Sequence, residues 1–211
     1  MAAIIHADPR VSDRRLRQYF NSTRDQWIEV VKAAVAARAR CTENNARSAP
    51  GYYAWDAGTV RARQIFRREG WERGDHNGIE TIWNSDLKKM IAVVNTDAGT
   101  ADEMRSPRNR TLKGPASEKV ADLNNEGLLF KRSEMGPLSE LPYALWYLCI
   151  YDDGGKVRAE LSHPTKYKSG YVVEFSERIF ILRDGEWEKV IIDTPAADDA
   201  GQDFEIDVVR K

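Results

Sequence analysis

Period-two alternation dominates the last third of this chain while helical periodicity dominates the first, so the fold must place helices ahead of a sheet. Residues 145–151, 157–161, 171–182, 187–192 and 204–209 alternate apolar with polar side chains or are rich in β-branched and aromatic ones. Asp153-Gly154-Gly155 and Asp184-Gly185 stand between some of these runs as tight-turn sequences. The pattern predicts five strands in an antiparallel meander.

Upstream, Ser12 and Asp13 precede Leu16, Phe20, Trp27, Val30, Val31 and Ala34 at helical spacing. One long amphipathic helix over 13–39 is expected. Residues 42–51 are polar and end in Pro50-Gly51, which predicts a loop. A second helix is expected over 56–69, burying Val60, Ile65 and Phe66 and exposing Arg61, Arg63, Arg67 and Arg68, with Gly70 at its C-terminal cap. A hairpin follows, with strands at 79–83 and 90–94 around the turn 84–86, entered through turn chemistry at 75–78. Residues 97–113 turn polar around Pro107 and predict a mobile surface loop. A short helix is expected over 117–124 and irregular chain over 127–142. The fold class is therefore α+β, with N-terminal helices packed on a largely antiparallel sheet that ends in a meander.

A chain of 211 residues is long enough for one well-packed core, and one domain over 1–211 is expected. Its net charge is only −1, but the distribution is uneven. Residues 1–115 hold 20 Lys and Arg against 14 Asp and Glu, and residues 116–211 hold 12 against 19. These define a basic lobe and an acidic one, which either attract each other or orient the protein on a polyanion. Six Trp and eight Tyr argue against extensive disorder. Cys41 and Cys149 are far apart and form neither a disulfide framework nor a zinc knuckle, which fits a reducing, cytoplasmic setting. The first nine residues lack the pattern of a signal peptide. No stretch approaches the ~18 apolar residues of a membrane span, so no membrane partner is expected.

The strongest chemical feature is the run from Arg105 through Arg108 and Arg110 to Lys113, four cations interleaved with hydroxyls and followed by Gly114. Together with Arg61, Arg63, Arg67 and Arg68 it forms a candidate phosphate-contacting surface, provided the two stretches face the same way. Lys113-Gly114-Pro115 lacks the spacing of a phosphate-binding P-loop. Tyr52, Tyr53 and Trp55, placed after Pro50-Gly51, are candidates for stacking on bases.

Carboxylates of the meander form a second constellation. Asp152, Asp153, Glu160 and Glu174 would support a metal-dependent phosphodiesterase if strand pairing brought them together. Alternation places Glu160 on an exposed sheet face, however, and the neighbouring acid–x–Lys pattern of restriction-type nucleases is missing from the strands. His6 falls in a terminus expected to fray, His163 at a strand end, and Asp75-His76 in a turn where they suggest a general base. No Ser or Cys stands in a nucleophile elbow. The expectation is a binding protein that contacts nucleic acid, or a complex that handles it, through the basic helix and loop. A metal-dependent nuclease is one alternative, and a regulatory module acting through a protein partner or a homodimer is another. No cofactor is implied.

Overall fold

A computed structural model describes residues 3–76, 78–115, 117 and 144–192. In chain order these form β1 (Ile4–His6), α1 (Pro9–Phe20), α2 (Arg24–Ala39), α3 (Ala49–Phe66), a 3-10 turn (Arg67–Glu69), β2 (Glu72–His76), β3 (Ile79–Asn84), β4 (Lys89–Asn95), β5 (Ala144–Asp152), β6 (Val157–Lys168), β7 (Tyr171–Leu182) and α4 (Trp187–Ile192). The seven strands make one sheet in the order β1-β7-β6-β5-β4-β3-β2. Pairing is parallel at β1–β7 and β4–β5 and antiparallel elsewhere. The α+β architecture with helices before a mostly antiparallel sheet is therefore as the sequence predicts, and β4–β5 pairing joins the two halves of the chain.

The expected single helix over 13–39 is two helices. Asp8 caps α1 by accepting from the amides of Arg10 and Val11, and Asn21 ends it in the left-handed region at φ 47°. Thr23 then opens α2 with a capping box in which its hydroxyl and the Gln26 amide each satisfy the other's backbone. The Trp27 indole donates to Ser22 Oγ at 2.9 Å, which fixes the break while the ring packs 4.2 Å from Phe66. The third helix starts at Ala49, earlier than expected, because Pro50 is tolerated in a first turn. Val60 is 43% exposed while Phe66 is buried, so α3 faces the sheet along a slightly rotated stripe. Gly70, at φ 78°, closes the 3-10 turn.

Both faces of the sheet are covered. Leu16, Phe20, Trp27, Val31, Ala54 and Phe66 from α1, α2 and α3 pack on one face, against Val93, Trp146, Leu148, Ile150, Leu161 and Ile179. On the other face, Met90, Ala92, Val94, Leu145, Tyr147 and Cys149 are met by Val172 and Phe175. Those two residues reach it because the β6–β7 hairpin folds back on the sheet, with register shifts around Pro164 and between Ala159 and Glu160. Each large apolar side chain removed from water contributes about 1.5–3 kcal/mol. Burial on both faces explains why β5 is an almost unbroken apolar run.

Residues 187–192, expected as a strand, form α4 instead. The outer edge of β7 is already taken by β1, so a further strand has no edge to join there. Val190 N–H donates to the Glu186 carbonyl in place of a ladder bond. Of the entry turn predicted at 75–78, Asp75 and His76 end β2 and Gly78 lies in the turn to β3, with Asp75 Oδ1 accepting from the Gly78 amide at 2.8 Å. The elements expected at 117–124, 127–142 and 204–209 lie outside the described residues, save for Ser117.

Candidate functional site

The connection from β4 to β5 begins with the polar loop at 97–113, and it is tied down rather than mobile. Thr96 pairs with Asn109 in a bridge, Asp97 N–H donates to the Arg108 carbonyl and Arg110 N–H to the Asn95 carbonyl. Buried Asn109 spans to the hairpin tip, donating to the Gly170 carbonyl and accepting from the Val172 amide at 2.8 Å. Arg178 on β7 supplies the deepest anchor. Its guanidinium donates to the carbonyls of Gly99, Asp102 and Arg105 while pairing with both oxygens of Glu160. Satisfying so many loop carbonyls from one buried cation gives 97–110 a fixed shape.

That loop forms one wall of a cleft of about 520 Å³ at the C-terminal end of β4. Arg110, Thr111 and Lys113 come from the loop, and the start of α3 forms the facing wall with Pro50, Gly51, Tyr52 and Trp55. Arg38 from the last turn of α2 and Arg47 from the α2–α3 linker complete the lining. Asn95 Nδ2 donates to the Gly51 carbonyl at 2.7 Å and so fixes the helix start to the strand end. The rings of Tyr52 and Trp55 lie 5.8 Å apart, and Tyr52 is 57% exposed.

Four cations line this cleft, and among the described residues no carboxylate does. Asp152 sits in a small adjoining recess beside Arg38 and Arg110. Its carboxylate is 3.6 Å from Arg38 Nε, while Arg110 Nη2 donates to its backbone carbonyl at 3.2 Å. Arg47, Arg110 and Lys113 make no ion pair with a described residue. Lys113 lies 5.8 Å from the Tyr147 ring, and burial pushes its ammonium below the ordinary lysine value. Arg47 and Arg110 are exposed and Lys113 is half-buried, so the lining formed by the described residues is net positive. The N-terminal end of α3 adds a partial positive charge of its own.

Of the eight cations singled out from the sequence, the structure brings two to this cleft, Arg110 and Lys113. Arg61 faces Glu29 at 3.6 Å, and Arg63 pairs with Glu80 while donating to the Gly74 carbonyl, stapling α3 to the β2–β3 hairpin. Arg67 and Arg68 lie beyond the far end of α3, roughly 24 Å of helix from Gly51 at ~1.5 Å per residue. Arg105 pairs with Asp102 at 2.7 Å, and that hydrogen bond holds the Asp102 carboxyl below its usual range. Arg108 stacks 3.7 Å from the Tyr171 ring centroid. The expectation that the basic helix and the loop share a face is therefore corrected: α3 runs away from the loop, and its C-terminal arginines end near Asn84 and the start of β4, at the other end of the strands from the cleft. Tyr52 and Trp55 reach the cleft, whereas Tyr53 turns to a separate depression beside Cys41.

The meander carboxylates do not converge. Glu160, expected on an exposed face, is fully buried, because that face is covered by the folded-back hairpin and the loop. It accepts from Arg178, from Ser162 Oγ at 2.6 Å and from the Ala101 amide at 2.5 Å. Glu174 pairs with Lys166 on the outer hairpin at 3.0 Å. Asp153 caps its turn, and hydrogen bonds from the Tyr151 hydroxyl and the amides of Lys156 and Gly155 hold its carboxyl below the usual range. Among the described residues no cluster of three His, Cys, Asp or Glu is placed to hold a metal ion. His6, expected to fray, is held in β1 with its ring 2.9 Å from Glu177. His163 lies within β6, with Nδ1 2.7 Å from Ser176 Oγ. Among the described residues no helix is long and apolar enough to cross a membrane.

Sequence reasoning missed Arg38, Arg47 and Arg178. Arg178 carries the clearest signal, a lone cation preceding the apolar run 179–182 in a strand with little solvent-facing pattern. Arg47 precedes the Ser48-Ala-Pro-Gly helix start that places it at the cleft. Comparison with protein-family models, with curated proteins and with solved structures finds no match.

Proposed function

We propose that this protein is a binding protein for nucleic acid and that the cleft between the start of α3 and the 97–113 loop is where it holds its ligand. One observation carries the reading: four cations line the cleft and, among the described residues, three of them have no ion-pair partner. A phosphate would supply that charge through charge-assisted hydrogen bonds to Arg47, Arg110 and Lys113. Tyr52 and Trp55 offer π-faces to a base across the same space, where stacking is worth about 1–3 kcal/mol. The carboxylate-based alternative has no comparable cluster behind it.

Binding of a labelled single-stranded oligonucleotide, followed by fluorescence anisotropy across salt concentrations, tests the proposal. Affinity is expected to fall with salt, with a slope of about 0.7 per phosphate contact. Arg47→Ala should weaken binding about tenfold without altering the fold, since its side chain is exposed. No binding at about 50 mM salt would reject the proposal.

A further inference from the structure

We infer that the cleft takes a single nucleotide bearing a terminal phosphomonoester, either free or at the phosphorylated end of a strand, rather than tracking a polymer backbone. The inference rests on the cleft being the binding site proposed above.

Size is the first argument. A cleft of about 520 Å³ falls within the ~300–1,000 Å³ of sites that enclose one small ligand. A groove that follows single-stranded nucleic acid engages about 4 or more nucleotides and needs cations continuing along it. Here the cations that would prolong a track are committed elsewhere. Arg105 is held by Asp102, Arg108 lies on Tyr171, Arg61 and Arg63 face glutamates, and Arg67 and Arg68 sit at the far end of α3.

Charge and direction point the same way. An internal phosphodiester brings one negative charge, whereas a phosphomonoester brings about 1.5–2 near neutral pH, closer to the charge of three cations that have no ion-pair partner among the described residues. Those cations come from the α2–α3 linker and two positions of the loop, with Arg38 entering from α2. Drawn from three separate elements around one cleft, they do not follow a single segment as a backbone-tracking row would, which suits an end group. Tyr52 and Trp55, three residues apart on α3, then give one base a surface to lie against.

Titration calorimetry with AMP, adenosine and inorganic phosphate tests this, alongside oligonucleotides phosphorylated at the 5′ end, at the 3′ end, or at neither. We expect AMP to bind, adenosine and inorganic phosphate each to bind at least about tenfold more weakly, and one phosphorylated oligonucleotide to exceed its unphosphorylated form by a similar factor. Arg47→Ala and Lys113→Met should each weaken AMP, the first with an unchanged melting temperature and the second with one that is not lowered, since it removes a desolvated charge. Equal affinity for phosphorylated and unphosphorylated strands, rising with length, would overturn the inference while leaving nucleic-acid binding intact. Inorganic phosphate binding as tightly as AMP would also overturn it. AMP binding without any oligonucleotide binding would support it, with the free nucleotide as source, and would remove the nucleic-acid reading. Silence from every probe would remove both.

Discussion

Arg178 and Glu160 face each other across β6 and β7 as a bidentate ion pair, at 2.8 and 2.6 Å, with side chains only 2% and 0% exposed. The pair does more than neutralise itself. Its arginine holds three carbonyls of the loop that carries Arg110 and Lys113, so the floor of the sheet and the wall of the cleft are one hydrogen-bonded unit. Replacing Arg178 by Met leaves a buried carboxylate without its partner and should cost about 3–5 kcal/mol. Denaturant unfolding measures this, and proteolysis after Arg105 should accelerate as the loop loses its anchor. A loss under about 1 kcal/mol would mean that the pair does not hold the loop.

Gly99 is part of the same loop, and a Cβ added there would stand 2.3 Å from the Ser106 carbonyl oxygen. The obstructing Ser106 backbone cannot give way as a flexible side chain would. Gly99→Ala should therefore distort the loop and lower stability by about 1–3 kcal/mol, while weakening ligand binding. Unchanged unfolding and unchanged binding together would contradict the packing described.

His163 gives the fold an acid limit. Burial pushes its imidazole down from 6.5 to about 4, with Lys89 adding to the effect and Glu177 opposing it. The folded protein thus keeps this ring neutral while the unfolded chain takes up a proton below pH 6.5. Its contribution is fully present above pH 6.5 and is lost as pH falls towards 4, amounting to up to about 3 kcal/mol. Stability of His163→Gln between pH 7 and 4 should fall less steeply than that of the unsubstituted protein. Identical slopes would show that the ring protonates as easily folded as unfolded.

Trp55 should report the ligand directly. Stacking in the cleft is expected to quench its fluorescence, a change absent from Trp55→Phe, and Tyr52→Ala should weaken nucleotide binding about tenfold. A signal that persists in Trp55→Phe would place the ligand elsewhere.

Much of the fold is legible in the sequence because local signals and burial agree there. The hairpin at 79–94 and the strand at 171–182 follow from alternation and turn residues alone. Burial on both sheet faces removed the meaning of alternation at Glu160, where a polar letter marks an interior ion pair and not solvent. At 187–192 the apolar pattern is compatible with strand or helix, and only the edge already occupied by β1 decides it. The Thr23-x-x-Gln26 capping box was readable, yet it was hidden by a helical stripe that continues across the break. The cleft was half legible: a loop rich in arginine announces itself, but Arg38 and Arg47 join Arg110 and Lys113 only because α3 starts beside the end of β4.

The most direct test compares two double variants in one titration with a phosphorylated single-stranded oligonucleotide. Arg110→Ala with Lys113→Met removes charge from the cleft, whereas Arg67→Ala with Arg68→Ala removes equal charge from the opposite end of α3. We predict that the first pair weakens binding at least about a hundredfold and flattens its salt dependence, while the second changes affinity less than about threefold. Equal losses from the two pairs, or a greater loss from the second, would contradict the assignment of the ligand to the cleft.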